Sequence, residues 1–231
     1  MSGNVSDDSC TQSASPVTEI DSLHIGQGHT AIIGPNGSGK TTFLKLCAGI
    51  ELPHHGTLTI SGKEPRAAHT GWVGEVPDNN LVFRTVADEV ASGLRFRRTP
   101  ADAIEPAVSS VLSDIGILHL SSRTSHTLSG GEKALVACAA ALALSPELLI
   151  LDETDTHLDQ NAAEILETII RRRPAPGILQ CTQDMDTASR ADRVIFFDGG
   201  YPQYTGTPEE VFSHLNETEM YPSLWRIARC I

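Results

Sequence analysis

The chain has no apolar run long enough to cross a bilayer. Its longest apolar stretch, residues 134–144, has about half of the ~20 residues that a membrane-spanning helix requires. We therefore expect these residues to form a buried helix, so that any role at a membrane would depend on a partner protein.

Basic side chains are also scarce. The 231 residues contain 17 lysines and arginines against 29 aspartates and glutamates, which gives a formal net charge of -12. A broad nucleic-acid-binding surface requires lysine and arginine in excess. This balance predicts a soluble protein with no nucleic-acid partner.

Paired cysteines are missing as well. The five cysteines are odd in number and widely spaced, and no two of them have the spacing of a metal site or a redox motif. We therefore expect reduced thiols in a cytosolic protein, and no secretory signal opens the chain. The cysteines are Cys10, Cys47, Cys138, Cys181 and Cys230.

What the sequence does contain is an alternation of short apolar segments with helical stretches. This pattern is typical of an α/β fold with a parallel sheet covered by helices. Residues 1–16 are polar and should form a disordered tail, and residues 17–231 should form one folded domain. We predict strands at 30–33, 57–60, 148–151, 177–181 and 193–197, and helices at 41–50, 134–144 and after Pro208.

Helical periodicity between residues 84 and 130 predicts an inserted helical subdomain. Val86, Val90 and Leu94 should share one apolar face. A second apolar face should contain Ile104, Val108, Val111, Leu112, Ile115 and Leu118.

Residues 34–42, GPNGSGKTT, fit the pattern of a phosphate-binding loop. In this pattern backbone N–H groups surround phosphate oxygens, a lysine reaches the outer phosphates and a hydroxyl binds magnesium. We assign the lysine role to Lys40 and the magnesium role to Thr41. The helix that leaves the loop would direct its positive end at the anion. A glycine-rich turn with a surface lysine is the alternative.

A second candidate site lies where an apolar strand ends in Asp152 and Glu153. In open parallel sheets this end of a strand borders the crevice that binds ligands. Two carboxylates there suit a metal site and a base beside an attacking water. A solvated acidic helix cap is the alternative.

A third segment, residues 128–132 or LSGGE, has the spacing of a capping box. In such a box Ser129 and Glu132 satisfy the first N–H groups of a helix. A capped helix start also attracts anions, so a structural and a binding role are compatible.

The order of these three segments resembles the ATP-hydrolysing subunit of an ABC transporter. The resemblance covers about residues 17–212. It implies a P-loop NTPase fold of the ABC type, in which a nucleotide-binding domain with a mostly parallel sheet carries an inserted helical subdomain, and it implies ATP and Mg²⁺ as ligands. Residues 77–81, 85–94 and 206–212 resemble the energy-coupling-factor importers and their cobalt-uptake relatives, which import vitamins and metal ions.

The resemblance also implies residue roles. Asp152 would hold magnesium through water, and Glu153 would polarise the attacking water. Residues 129–132 would face the terminal phosphate of ATP bound by a second subunit, across a dimer seam that also contains the loop ending at residues 158–159. The implied nucleotide-binding residues are Gly34, Asn36, Gly37, Ser38, Gly39, Lys40, Thr41, Thr42, Ser129, Gly130, Gly131 and Glu132.

Three departures from the family pattern affect this site. The first is Glu75, which stands where the family has a glutamine that touches magnesium and senses the membrane partner. A carboxylate is also a magnesium ligand, so Glu75 joins Thr41 and Asp152 as a candidate metal residue. It adds negative charge beside a triphosphate.

The second departure is Gln183, which stands where the family has a switch histidine. Glutamine donates a hydrogen bond but cannot become cationic or shuttle a proton. Loss of one well-placed donor costs ~3 to 4 kcal/mol of barrier, a factor of 10² to 10³ in rate. We therefore predict slow catalysis by Glu153, Gln183 and Lys40.

The third departure is the absence of an aromatic residue before Phe43, since the family stacks adenine on a ring upstream of the loop. By analogy with base stacking, this weakens nucleotide binding by ~1 to 3 kcal/mol. The departures lie at the chain's own phosphate site, whereas residues 128–132 match the family well. The sequence therefore predicts the weaker member of an asymmetric ATPase pair.

The implied partners are a second ABC ATPase subunit, with a heterodimer favoured over a homodimer, a transmembrane scaffold and a substrate-binding membrane subunit. The implied location is peripheral, on the cytoplasmic face of the cell membrane. The alternative function is a nucleotide-dependent regulatory or structural subunit that binds ATP without useful hydrolysis.

Overall fold

The computed structural model describes residues 18, 20–75, 81–172 and 175–229. The predicted tail and most of segment 77–81 lie outside the described residues. The strands are β1 Gly28–Ile33, β2 Thr70–Val73, β3 Leu148–Asp152, β4 Gly177–Cys181, β5 Arg193–Asp198 and β6 Tyr201–Gly206. The helices are α1 Lys40–Cys47, α2 Val86–Phe96, α3 Ala101–Ile115, α4 Gly130–Ala143, α5 Gln160–Arg172, α6 Met185–Ala188, α7 Pro208–His214 and α8 Ser223–Arg229.

The strands form one mixed sheet in the order β2-β3-β4-β1-β5-β6. Neighbours from β2 to β5 are parallel, and β6 is antiparallel to β5. Every residue of β3 is buried. A continuous apolar strand of this kind is typical of a parallel sheet that helices cover on both faces.

Helix α4 confirms the prediction of a buried helix at residues 134–144. Its residues are apolar around most of the circumference, and Val136 and Cys138 are almost completely buried. A helix of this kind belongs in a core. It lies in the largest apolar cluster, together with side chains of α2, α3 and β3.

Helices α2 and α3 occupy the region in which helical periodicity was strongest. The side chains of Val86, Val90 and Leu94 are buried as predicted. Leu118 does not share the buried face of α3, since 46% of its surface is exposed. The reason is that α3 ends at Gly116, which has a φ of 85°, a left-handed conformation that glycine adopts readily at a helix C-terminus.

One predicted strand is absent from the structure, and two observed strands were not predicted. Residues 57–60 do not form a strand. Their only ladder contact in the described chain is an isolated bridge between Ile60 and Lys63, and Leu58 and Ile60 pack against a core cluster instead. Strands β2 and β6 were not predicted, because in each the alternation of apolar and polar residues is short or weak.

In the described part of the chain, no helix is both long and apolar enough to span a membrane.

Candidate functional site

The site lies at the carboxyl ends of three neighbouring strands. The backbone register places Cys181 of β4 beside Ile32 of β1 on one side and Asp152 of β3 on the other. The phosphate-loop segment follows β1, Glu153 follows β3, and Gln183 comes shortly after β4. Open parallel sheets bind ligands at this end.

The loop after β1 needs glycine at its first position. Gly34 has a φ of 146°, and a β-carbon there would lie 2.0 Å from the backbone oxygen of Phe197. Gly39, with a φ of 96°, is the N-cap of α1. A side chain at Gly34 would require the backbone to move, and the positive φ of Gly39 would strain any other residue. The sequence therefore folds into a tight loop whose backbone ends at a helix N-terminus.

Lys40 lies inside this loop. It is 5% exposed, and its Nζ donates hydrogen bonds of 2.9 Å to the carbonyl oxygens of Gly34 and Pro35. The ammonium is placed at the start of α1, where the helix dipole is also positive. Ser38 adds a buried hydroxyl that has no hydrogen-bond partner among the described residues. The loop has the charge and the donors of an anion site.

Thr41 and Asp152 bring the first and second candidate segments together. The Thr41 hydroxyl donates to Asp152 Oδ1 at 3.3 Å. Burial raises the pKa of the Asp152 carboxyl, and the nearby carboxylates of Glu153 and Glu75 raise it further, while hydrogen bonds from Thr41 and Cys181 act in the opposite direction. Asp152 is therefore a buried carboxyl group beside two other acidic side chains. A bound cation would stabilise its ionised form.

Glu153 has a strained backbone and a side chain held by its neighbours. Its φ of 49° and ψ of 32° lie in the left-handed region, which non-glycine residues rarely adopt and which is found at functional sites. Its N–H donates to the Cys181 carbonyl at 3.0 Å. Its Oε1 lies 3.8 Å from the Sγ of Cys181.

Gln183 connects both sides of the crevice. Its Nε2 donates to Glu153 Oε1 at 2.8 Å and to Asn36 Oδ1 at 3.0 Å. One amide group therefore joins the phosphate loop to the carboxylate after β3. Glutamine makes these contacts without adding positive charge.

Residues 129–132 form the predicted capping box at the start of α4. The Ser129 N–H donates to Glu132 Oε2 at 2.8 Å, and the Glu132 N–H donates to Ser129 Oγ at 3.2 Å. Arg123 adds an ion pair to Glu132 at 3.1 Å. Within the described part of the chain, no hydrogen bond or ion pair joins this segment to the phosphate loop. Ser129 and Gly130 are exposed.

The sequence did not identify two further residues of this region. Asp155 accepts a hydrogen bond from the hydroxyl of Thr182, which is fully buried. The contact joins residues that are far apart in the chain, so no local spacing could have revealed it.

The sequence pattern of the family described as "ABC transporter" matches residues 20–156. This range is more than half of the chain and includes the phosphate loop, the capping box and the carboxylates after β3. The chain belongs to the ABC transporter family. It is an ABC-type ATPase with the expected P-loop fold, and ATP is its nucleotide.

Curated relatives of this ABC ATPase share a name. This chain is 38% identical over 213 residues to the energy-coupling factor transporter ATP-binding protein EcfA1 of Enterococcus faecalis. The match covers 87% of this chain and 76% of the relative. The protein of the same name from Mycoplasma pneumoniae is 33% identical over 200 residues, with 83% and 73% covered.

Solved structures give the same fold for this ABC ATPase. The cbiO1 protein of Clostridium perfringens, described as part of the ABC transporter complex cbiONQ, is 30% identical with a TM-score of 0.74, over 90% of this chain and 89% of that one. A dimeric ATP-binding cassette bound to ADP and Pi has a TM-score of 0.71 at 23% identity, over 80% and 88%, which supports the fold alone.

Proposed function

We propose that this ABC ATPase powers a membrane importer of the energy-coupling-factor type, for a vitamin or a metal ion, as the weaker member of an asymmetric ATPase pair. The observation that carries the proposal is the hydrogen-bonded arrangement of Asn36, Gln183 and Glu153 at the ends of β1, β4 and β3. The names of the relatives, which are ATP-binding proteins of energy-coupling factor transporters, support the importer assignment.

Thr41 and Asp152 fit a magnesium site. Their oxygens are the hard donors that Mg²⁺ prefers, and Mg²⁺ commonly binds one or two carboxylates together with water and substrate phosphates. Consistent with so few protein ligands, no group of three or more His, Cys, Asp or Glu side chains in the described segments is arranged to hold a metal. Glu75 is exposed beside them and is the third candidate. When bound, Mg²⁺ would neutralise charge on the terminal phosphates.

Lys40, Glu153 and Gln183 would carry the hydrolysis at this chain's own site. Lys40 would hold the outer phosphates from inside the loop, and Glu153 would orient and polarise the attacking water. Gln183 would donate to the terminal phosphate through the same amide that now contacts Glu153. Because an uncharged amide replaces a group that can be cationic, hydrolysis here should be slow.

The start of α4 would serve a second cassette. There the helix N-terminus is covered only by the short, exposed residues Ser129 and Gly130, which is a suitable surface for an anion. We place residues 129–132 against the terminal phosphate of ATP bound by a different ABC ATPase subunit. This chain would then contribute a complete set of residues to the ATP site of its partner. The residues that it contributes to its own ATP site would be less effective.

A heterodimer of this kind would sit at the cytoplasmic face of the membrane as a peripheral complex. Its other partners would be a transmembrane scaffold and a substrate-binding membrane subunit. The boundaries that we propose for the chain are a tail at residues 1–16, an ATPase domain at 17–231 and a helical subdomain at about 84–130.

A second candidate function is a regulatory subunit that binds ATP without useful hydrolysis. The 2.8 Å hydrogen bond from Gln183 to Glu153 favours it, because the amide occupies a carboxylate oxygen that would otherwise contact the attacking water.

Single-turnover hydrolysis by the complex purified through a tag on this chain would test the proposal. An ATPase role predicts a fast phase from the partner's site and a slow phase from this one, and Glu153→Gln should remove the slow phase. If the unaltered complex has no slow phase, the chain is a regulatory subunit.

A further inference from the structure

The segments that follow β3 and β4 are joined by side-chain hydrogen bonds, one of which connects residues that have no role in the proposed chemistry. One segment contains Glu153 and the 3-10 turn Thr154–His157. The other contains Thr182, Gln183 and the start of α6. Besides the contact of Gln183 with Glu153, one more side-chain bond connects them.

Thr182 is the centre of this connection. It is fully buried, and its N–H donates to the Ile32 carbonyl at 3.2 Å. Its hydroxyl donates to Asp155 Oδ2 and accepts from the N–H of Asp184 at 2.9 Å. The hydroxyl therefore acts both as a donor, to the segment after β3, and as an acceptor, within its own segment.

Asp155 is a costly acceptor at this position. Burial raises the pKa of its carboxyl, Asp184 and Glu153 raise it further, and the hydrogen bond from Thr182 opposes them. Its Oδ1 is buried without a hydrogen-bond partner, and no ion pair involves it within the described segments. A neutral acceptor would cost less, and a carboxylate held in such surroundings indicates a functional role.

We propose that Asp155 is a positioning residue for hydrolysis, which fixes the segment carrying Gln183 against Glu153 through the Thr182 hydroxyl. This inference rests on the roles proposed above for Glu153 and Gln183. Without the acceptor on residue 155, the Thr182 hydroxyl is free to turn, the Asp184 amide loses a fixed partner, and the backbone that carries Gln183 is held less firmly against Glu153.

Hydrogen exchange of the full chain, measured without nucleotide, tests the positioning itself. Asp155→Ala and Thr182→Val should each speed exchange in residues 182–184 by about tenfold, as expected for a lost buried hydrogen bond. Asp155→Asn keeps an acceptor and should stay within about twofold of the unaltered chain. Glu164→Gln, a change to an exposed carboxylate on α5, is the matched control and should have no effect.

Hydrolysis by the purified complex tests the functional consequence. Asp155→Ala should lower the rate of the slow phase about tenfold while ATP affinity changes less than about twofold, and Asp155→Asn should restore most of the rate. If Asp155 had a purely structural role, Asp155→Ala would lower stability without a selective loss of hydrolysis rate over ATP affinity. Asp155→Asn would then not restore the rate.

The outcomes separate this inference from the proposed function. If Glu153→Gln removes the slow phase but Asp155→Ala leaves either the exchange or the slow phase unchanged, the positioning role is wrong and the proposed function stands. If Glu153→Gln has no effect on the slow phase, the proposed catalytic role is wrong, and the positioning role that rests on it falls as well.

Discussion

The Gln183 amide and the Glu153 carboxylate form a hydrogen bond of 2.8 Å beyond the carboxyl ends of the neighbouring strands β3 and β4. The same amide nitrogen lies 3.0 Å from Asn36 of the phosphate loop. The two groups that should act on the terminal phosphate and on water are therefore in direct contact. A ligand phosphate would have to compete with Glu153 for this donor.

Replacing Gln183 by histidine should speed hydrolysis at this chain's own site. A histidine supplies a donor that can also be cationic, so we expect the slow phase to become about tenfold faster. The measurement is single-turnover hydrolysis by the purified complex. Gln203→His, on the edge strand β6, is the control and should change nothing; a slower phase for Gln183→His would contradict the proposed role.

Removing the charge of Lys40 should weaken ATP binding. Lys40→Met keeps the length of the side chain but loses the buried ammonium, and charge-assisted hydrogen bonds of this kind predict an affinity about 10- to 100-fold lower. Lys45→Met, on the same helix at a position whose side chain is 39% exposed, is the matched control. Equal affinities for the two variants, measured by nucleotide titration, would refute the assignment.

The two glycines of the loop should respond differently to a methyl group. Gly34→Ala places a β-carbon 2.0 Å from the Phe197 carbonyl, and the combined clash and left-handed strain should cost about 2 to 4 kcal/mol of unfolding free energy. Gly37→Ala meets no atom within 4 Å, so it should cost only about 1 kcal/mol. Denaturant unfolding of both variants measures the difference.

Acid should destabilise the chain partly through His29. Burial lowers the pKa of His29, against smaller opposite effects of Gln180 and Asp192. The unfolded chain therefore binds this proton at a higher pH, near 6.5, than the folded protein does, and stability is lost as the pH falls below that value. His29→Gln should lose less stability between about pH 7.5 and 5.5 in thermal unfolding. The exposed His126→Gln should behave like the unaltered chain.

The elements that the sequence predicted well are those with a strong local pattern. Residues 148–151 lie in β3 as expected, because a continuous apolar run in a parallel sheet carries its own signal. Residues 129–132 form the capping box that their spacing predicts. Leu118 was assigned to a helix face that Gly116 interrupts, since periodicity alone does not report where a helix ends.

The contacts within the site depend on tertiary structure. The phosphate loop, Glu153 and Gln183 were all named from their own segments, but the bond between Gln183 and Asn36 joins residues 147 positions apart. The Thr182 bond to Asp155 was not anticipated, because only the sheet register brings β3 and β4 side by side. Local spacing predicts which residues are suited to a role, whereas the register determines which of them meet.

The most direct test of the asymmetric pair is single-turnover hydrolysis by the complex with changes in two segments of this chain. Ser129→Arg should remove the fast phase, because a bulky cation on the exposed start of α4 blocks the surface lent to the partner, and Glu153→Gln should remove only the slow phase. Loss of the fast phase in Glu153→Gln, together with an intact fast phase in Ser129→Arg, would contradict the account.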